Sequence, residues 1–390
     1  MTACSKFFLV AMIGVSVISD SMLMPFYPQF FESAFSVTDP QQTGLYLSAV
    51  CLAVMVSFPV WAAVSRQIPV LRLLIYTQCA AGLLSLLCYR ADSLAYFWLV
   101  SLTMLLFKGS YLLIYPYIMS LEPKDKHGRT IGMLAVLVHL GGILGAAAGG
   151  IVLEGFEPRQ AFLLMAAGDF VQMLICVFLP SPTASEPETS KTPGGPEPAE
   201  VPSGIILRLG LIMLLFYFSV FLTRPFFASY WKSISSWDGE IVSGLVFAIP
   251  GAMALLALCL KRGTTAKNGI IPAILAGTTG LLLQASGQGA LVLSGRCLFG
   301  WALFKATVRL DWLLFESASS HSYAADFSKI YFFQSLGALV ASYAAGSIVA
   351  EYGLRATFLA GAIGLAGTAC LYALLFKAGA KSPATVLETP

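Results

Sequence analysis

Apolar residues dominate this chain in runs that are interrupted only briefly by polar ones. Runs of about 20 residues, the length a helix needs to cross the hydrocarbon core of a bilayer, lie at 7–31, 43–64, 70–89, 94–119, 130–153 and 160–180. A second set lies at 205–229, 241–260, 269–287, 289–313, 329–350 and 356–376. Each run predicts a membrane-spanning α-helix, because backbone groups in lipid have no water to bond and a helix pairs them within its own segment. The first run is longer than the apolar core of a signal peptide and has no A-x-A site behind it, so it is expected to stand as the first span.

Residues 181–203 break the pattern. Pro182, Pro187, Pro193, Pro196, Pro198 and Pro202 punctuate them, and Glu186, Glu188, Glu197 and Glu200 share the segment with Lys191. So little apolar surface cannot offset the entropy of folding. A flexible linker is expected there, between an N-terminal six-helix bundle at 1–180 and a C-terminal one at 204–380, with a tail at 381–390.

Composition fits a lipid environment. Of 390 residues, 57% are hydrophobic and 11% charged, with a mean hydropathy of +0.80; a soluble domain carries roughly 25% charged residues. The net charge of +3 is spread over short loops, which argues against a nucleic-acid partner. None of the eight cysteines forms a C-x-x-C pair, and His127, His139 and His321 are scattered. Buried thiols are therefore expected, with no metal and no cofactor. No G-x-x-x-x-G-K-[ST] loop for ATP occurs, so energy for any transport would come from an ion gradient.

Lysine and arginine near span ends stay on the cytoplasmic side. One set of loops holds Arg66, Arg72, Lys124, Lys126, Arg129, Lys261, Arg262 and Lys267, followed by Lys377 and Lys381 in the tail; the opposite set holds only Arg90, Arg159, Lys232 and Arg355. Both termini and the linker are expected in the cytoplasm.

The two halves echo each other. Ala148-Gly149-Gly150-Ile151-Val152-Leu153-Glu154 recurs as Ala345-Gly346-Ser347-Ile348-Val349-Ala350-Glu351, and Arg159-x-x-Phe162-Leu163 recurs as Arg355-x-x-Phe358-Leu359. Parallel repeats of this kind belong to carriers whose halves rock about a central site. The chain resembles the major facilitator superfamily along its length. The loop from Trp61 to Ile68 aligns with that family's G-x-x-x-D-R-x-G, with Ser65 in place of the acid and Arg66 kept. Leu105 to Gly109 stands where span 4 of the family has R-x-x-x-G, and Arg296-x-x-x-Gly300 is its intact counterpart in span 10. Gly141 to Gly150 is similar to an exporter-type glycine motif, with Ala146 in place of proline. Gly145, Gly149 and Gly150 would let helices approach closely and slide.

The resemblance implies an all-α fold of two six-helix bundles, related by a pseudo-two-fold axis along the membrane normal. It also implies a monomer in the bacterial inner membrane, with a small-molecule substrate, protons and lipid as partners. In that family spans 1, 4, 7 and 10 line the cavity, and each carries an ionisable group here. A charge near the bilayer centre costs about 2.5–3.5 kcal/mol on insertion scales, so a charge that persists there has a partner or a task. Asp20 is the expected proton carrier, with a structural ion pair to Lys108 as the alternative. Lys108, Tyr111 and Tyr115 share one face of span 4 and suit an anionic ligand. Arg224, before Pro225, can be aimed inward by a kink. Arg296 and Lys305 fall on opposite faces of span 10; Lys305, beside Trp301 and Arg309, is expected to reach substrate and Arg296 to pack helices. Asp169 is expected to stabilise a neighbouring helix, and His139 to relay protons or pack.

The function expected is therefore proton-coupled export of a small anionic or carboxylate-containing molecule, possible siderophores included. The alternatives are import of the same solute class and a non-transporting membrane sensor; enzymatic chemistry has no constellation to support it.

Overall fold

The computed structural model describes residues 3–121, 127–179, 203–260, 269–317 and 323–377. Among these residues the chain is helical without strands. Of the expected linker at 181–203 all but Ser203, the first residue of α9, lies outside the described residues, as do the tail and His321.

The N-terminal half contains α1 (Ala3–Met22), α2 (Tyr27–Phe35), α3 (Pro40–Val64), α4 (Val70–Tyr89), α5 (Leu94–Lys108), α6 (Ile114–Ser120), α7 (His127–Gly155) and α8 (Ala161–Phe178). The C-terminal half contains α9 (Ser203–Phe221), α10 (Phe227–Ile234), α11 (Glu240–Cys259), α12 (Ile270–Ala285), α13 (Gly289–Ser317), α14 (Tyr323–Tyr352) and α15 (Ala356–Tyr372). Ten helices are long and apolar enough to cross a membrane, and α1 with α2 adds another span bent by 63°. The shorter apolar helix α12 stands at the place of the ninth expected run. This is the two-bundle architecture expected from the sequence.

Local chemistry explains the boundaries. Asp39 accepts a hydrogen bond from the backbone N–H of Gln41 and caps α3, with Pro40 in the first turn, where a missing N–H costs nothing. Ser93 caps α5 by accepting from the N–H of Tyr96. Proline also interrupts spans at equivalent places: Pro25-Phe26 lies in the break between α1 and α2, and Pro225-Phe226 in that between α9 and α10. The fourth span loosens into a 3-10 turn at Gly109–Leu113, directly after Lys108.

Each half buries its own apolar core. In the N-terminal half Phe30, Phe97, Phe162 and Tyr46 cluster in one layer, and Leu9, Met12, Leu74 and Ile118 form a second. The C-terminal core centres on Phe216, Phe227, Tyr230, Trp231 and Phe358. The halves meet through α3 against α14 and α7 against α11. Gly44 and Gly346 face each other so closely that a methyl on either would collide with the other's backbone. Gly150 abuts the backbone of Glu240 and Ile241 in the same way. Polar ties cross beside these contacts: a Glu154 carboxylate oxygen accepts from the N–H of Ile241 at 2.9 Å, and Ser48 donates to the carbonyl of Leu339 at 3.0 Å. These contacts lie at the end of the helices away from the loops rich in lysine and arginine, and reach mid-depth at Cys51 and Ser342.

Candidate functional site

A cavity of about 500 Å³ lies between the halves, where those contacts give way. Its walls come from α1 (Val17, Ser21) and Met24 in the break after it, α7 (His139, Gly142, Ile143), α9, α11 (Phe247, Pro250, Gly251) and α13. Spans 1, 7 and 10 line it as expected. Span 4 does not: spans 5 and 8 take its place, and neither Lys108, Tyr111 nor Tyr115 is among the lining residues.

Two guanidinium groups face this space. Arg224 sits in the break after α9, where Pro225 denies the helix a continuation, and its guanidinium lies over the Phe221 ring at 4.2 Å. Arg296 is 3% exposed. Its Nε donates to the carbonyl of Val246 at 3.3 Å, and Nη2 donates to that of Phe247. The same guanidinium lies 4.0 Å from the Phe227 ring centroid. These carbonyls and aromatic faces solvate the cation but do not neutralise it. Among the described residues no carboxylate pairs with Arg224 or Arg296. Phe216, Tyr217, Phe299 and Phe304 supply apolar and aromatic wall around them.

Of the two cations of span 10, Arg296 lines the cavity and Lys305 does not. Lys305 lies 5.2 Å over the Trp301 ring and is absent from the lining, because nine residues of helix turn it to the opposite face. Arg309, on that same face, donates to the carbonyl of Gly269. Asp311 lines the cavity, whereas Asp20 is represented there only by its neighbour Ser21. Asp311 falls just before the end of the expected apolar run, where an acid reads as interfacial. The helix in fact continues to Ser317. The 15 positions from Arg296 to Asp311 correspond to about 22 Å of helix.

Lys108 lies deeper, inside the N-terminal half. Its Nζ is 3.3 Å from Asp20 Oδ1 and 3.5 Å from Asp169 Oδ1. Tyr111 and Tyr115 lie within electrostatic reach of Asp20 and pack against the apolar layer around Leu74. The alternative of a Lys108–Asp20 ion pair is the geometry found, with Asp169 as a second carboxylate. Asp169 lies on α8, whose apolar face gives no sign of which neighbouring helix supplies a cation.

The remaining motif residues serve helix contacts. Gly145 and Gly149 abut the backbone of α1 at Ile18 and Met22; Gly109 abuts Ser57 of α3, and Gly300 abuts Pro250 of α11. Arg66 is exposed in the turn between α3 and α4.

A helical bundle pair enclosing a charged, aromatic cavity between its halves defines a membrane transport protein, not an enzyme. The sequence model of the Major Facilitator Superfamily matches residues 9–310, and the chain belongs to that family. The chain is 25% identical over 378 residues to the multi-drug resistance efflux pump PmrA of Streptococcus pneumoniae serotype 4, covering 92% of each. Its fold matches the nucleoside transporter NupG with a TM-score of 0.76 at 12% identity, covering 95% of this chain and 100% of that one. The human organic anion transporter MFSD10 matches with a TM-score of 0.69 at 15% identity, over 94% of this chain and 98% of that one.

Proposed function

We propose that this protein is a proton-coupled secondary transporter that exports a small organic anion by alternating access. The observation that carries the anion is the pair Arg224 and Arg296, two cations on one cavity without a carboxylate partner among the described residues. An unpaired buried cation is costly, and a bound anion would remove that cost by forming charge-assisted bonds to the free guanidinium donors. The aromatic walls suit an apolar body attached to the anionic group. Carboxylate-rich solutes, siderophores of that type included, fall within this class. The likeness to efflux pumps supports export.

With the basic loops in the cytoplasm, the end at which α7 meets α11 is periplasmic, and the cavity faces inward. Asp20, beside the lining residue Ser21, would exchange the coupling proton. The chain would act as a monomer in the inner membrane.

The test uses purified protein in proteoliposomes with an imposed pH gradient and a panel of aromatic carboxylates, neutral analogues and cations. Carboxylates should be moved against their gradient in exchange for protons. Losing one charge-assisted contact costs about 1.5–3 kcal/mol, so Arg224→Gln should weaken carboxylate binding roughly 10–150-fold. A preference for cations, or unchanged carboxylate affinity in the variant, would sink the anion reading. Flux in the direction of uptake under the same gradient would select import.

A further inference from the structure

Among the described residues, the two most buried charges lie outside the cavity. Lys108 is 2% exposed and Asp169 fully buried, yet Asp20 keeps 34% of its side chain accessible. Lys108 Nζ lies between the two acids, 3.3 Å from Asp20 and 3.5 Å from Asp169. Ser85 of α4 donates to Asp169 Oδ2 at 3.2 Å. Asp169 Oδ1 makes no hydrogen bond among the described residues, so one acceptor of a sealed carboxylate is served by ionic contact alone.

The formal charges of this group do not cancel. Among the described residues two carboxylates face one ammonium, and Cys88 of α4, Tyr27 of α2, and Tyr111 and Tyr115 of the fourth span also lie in electrostatic reach. None of these is a cation. A surplus negative charge held in a low-dielectric interior is unfavourable, and one bound proton removes it.

We propose that Asp20, Lys108 and Asp169 form one site holding a single exchangeable proton, in which Asp169 is a second proton-bearing carboxyl. The proton enters and leaves through Asp20, the accessible member, next to Ser21 in the cavity wall. When an O–H bond forms on Asp20, the Lys108 ammonium loses that partner and pairs wholly with Asp169. When that proton leaves, Lys108 again bridges both acids, or the proton is held by Asp169 while Lys108 pairs with Asp20. No other bond forms or breaks. Protonation thereby loosens the tie between α1 and the fourth span, and α1 is the helix on which Gly145 and Gly149 of α7 rest. The proton site stands on this geometry; its service in transport rests on the proton coupling proposed above.

Acid-minus-alkaline infrared difference spectra of purified protein test the site directly, through the C=O band of a protonated carboxyl. Subtracting each variant from wild type isolates its contribution. Asp20→Asn and Asp169→Asn should each remove the same amplitude, that of one carboxyl, and the double variant should remove no more. Each single change leaves one acid balanced by Lys108, with no surplus charge to attract a proton. Amplitudes that add in the double variant would mean two independent acids, and an Asp169→Asn spectrum like wild type would mean a purely structural Asp169; either result overturns the proposal. If Asp169→Asn does not fold, Ser85→Ala keeps all three ionisable groups and should shift the frequency of the shared band, because Ser85 bonds the Asp169 carboxyl. An unshifted band in that variant also overturns it. Proton-driven flux in the same variants is read separately: the expected bands in a protein without such flux would sink the coupling but leave the proton site standing.

Discussion

Lys108 and Arg296 are both buried cations, and their neighbours give them opposite tasks. Lys108 has two carboxylates within 3.5 Å, so removing it leaves buried Asp169 and its accessible neighbour Asp20 with no cation between them. Truncating one partner of a buried pair costs about 3–5 kcal/mol. Lys108→Gln should therefore lower the melting temperature markedly, and adding Asp169→Asn should restore much of the loss; additive losses in the double-mutant cycle would contradict the pairing. Arg296 instead rests on backbone carbonyls and the Phe227 ring. Arg296→Lys keeps the charge but loses the planar fork that reaches both carbonyls. It should bind the anion several-fold more weakly than wild type and melt lower, whereas Arg224→Lys, whose guanidinium makes no hydrogen bond to carbonyls among the described residues, should melt close to wild type. Calorimetry and ligand titration on the two variants distinguish these outcomes.

At the scale of elements, the contact between α7 and α11 is the one that the proposed cycle would open. Glu154 places a carboxylate at the N-terminus of α11 and accepts from the N–H of Ile241, where both the free amide and the helix dipole favour an anion. Gly150, one turn earlier, permits the backbone approach. Gly150→Leu should force the two helices apart at this end, and Glu154→Ala should weaken closure by about 0.5–2 kcal/mol, the cost of a lost cap. Spin labels at Asp39 and Tyr352, near the meeting ends of α3 and α14, should report a longer distance in Gly150→Leu. An unchanged distance would show that this contact does not set closure. The kink expected at Pro225 is present as the break between α9 and α10, and Pro25 lies in the matching break between α1 and α2. The break at Pro225 matters for the site, because it is what places Arg224 in the cavity wall.

For the molecule as a whole, the proposed orientation puts both termini and residues 181–203 in the cytoplasm, on the strength of the basic loops. Reporter fusions after Lys191 and near Lys381 should be active only with a cytoplasmic reporter, and a periplasmic signal at either site would reverse the inside and outside of the proposed cycle. The cavity's position supports the rocking of two halves, since its walls come from both bundles while the contacts that close it lie at one end. Asp20→Asn should retain substrate exchange and lose transport driven by a pH gradient. A variant that still concentrates substrate under that gradient would remove Asp20 from the coupling path.

The succession of apolar spans, the two-bundle plan and the family were legible in the chain, because a bilayer imposes its thickness on every crossing helix and a duplicated half repeats its motifs. Asp20, Arg224 and Arg296 could be singled out for the same reason: a charge inside an apolar run stands out against lipid. Tertiary structure alone decided which charge meets which. Helix periodicity separates Arg296 from Lys305 by face, but only the packing of α11 against α13 says which face is the cavity. Asp169 and Lys108 are 61 positions apart on helices that show no preference for each other in one dimension. Their pairing arises because α5, which ends in Lys108, and α8, which carries Asp169, both pack against α4, which brings the two side chains to one depth.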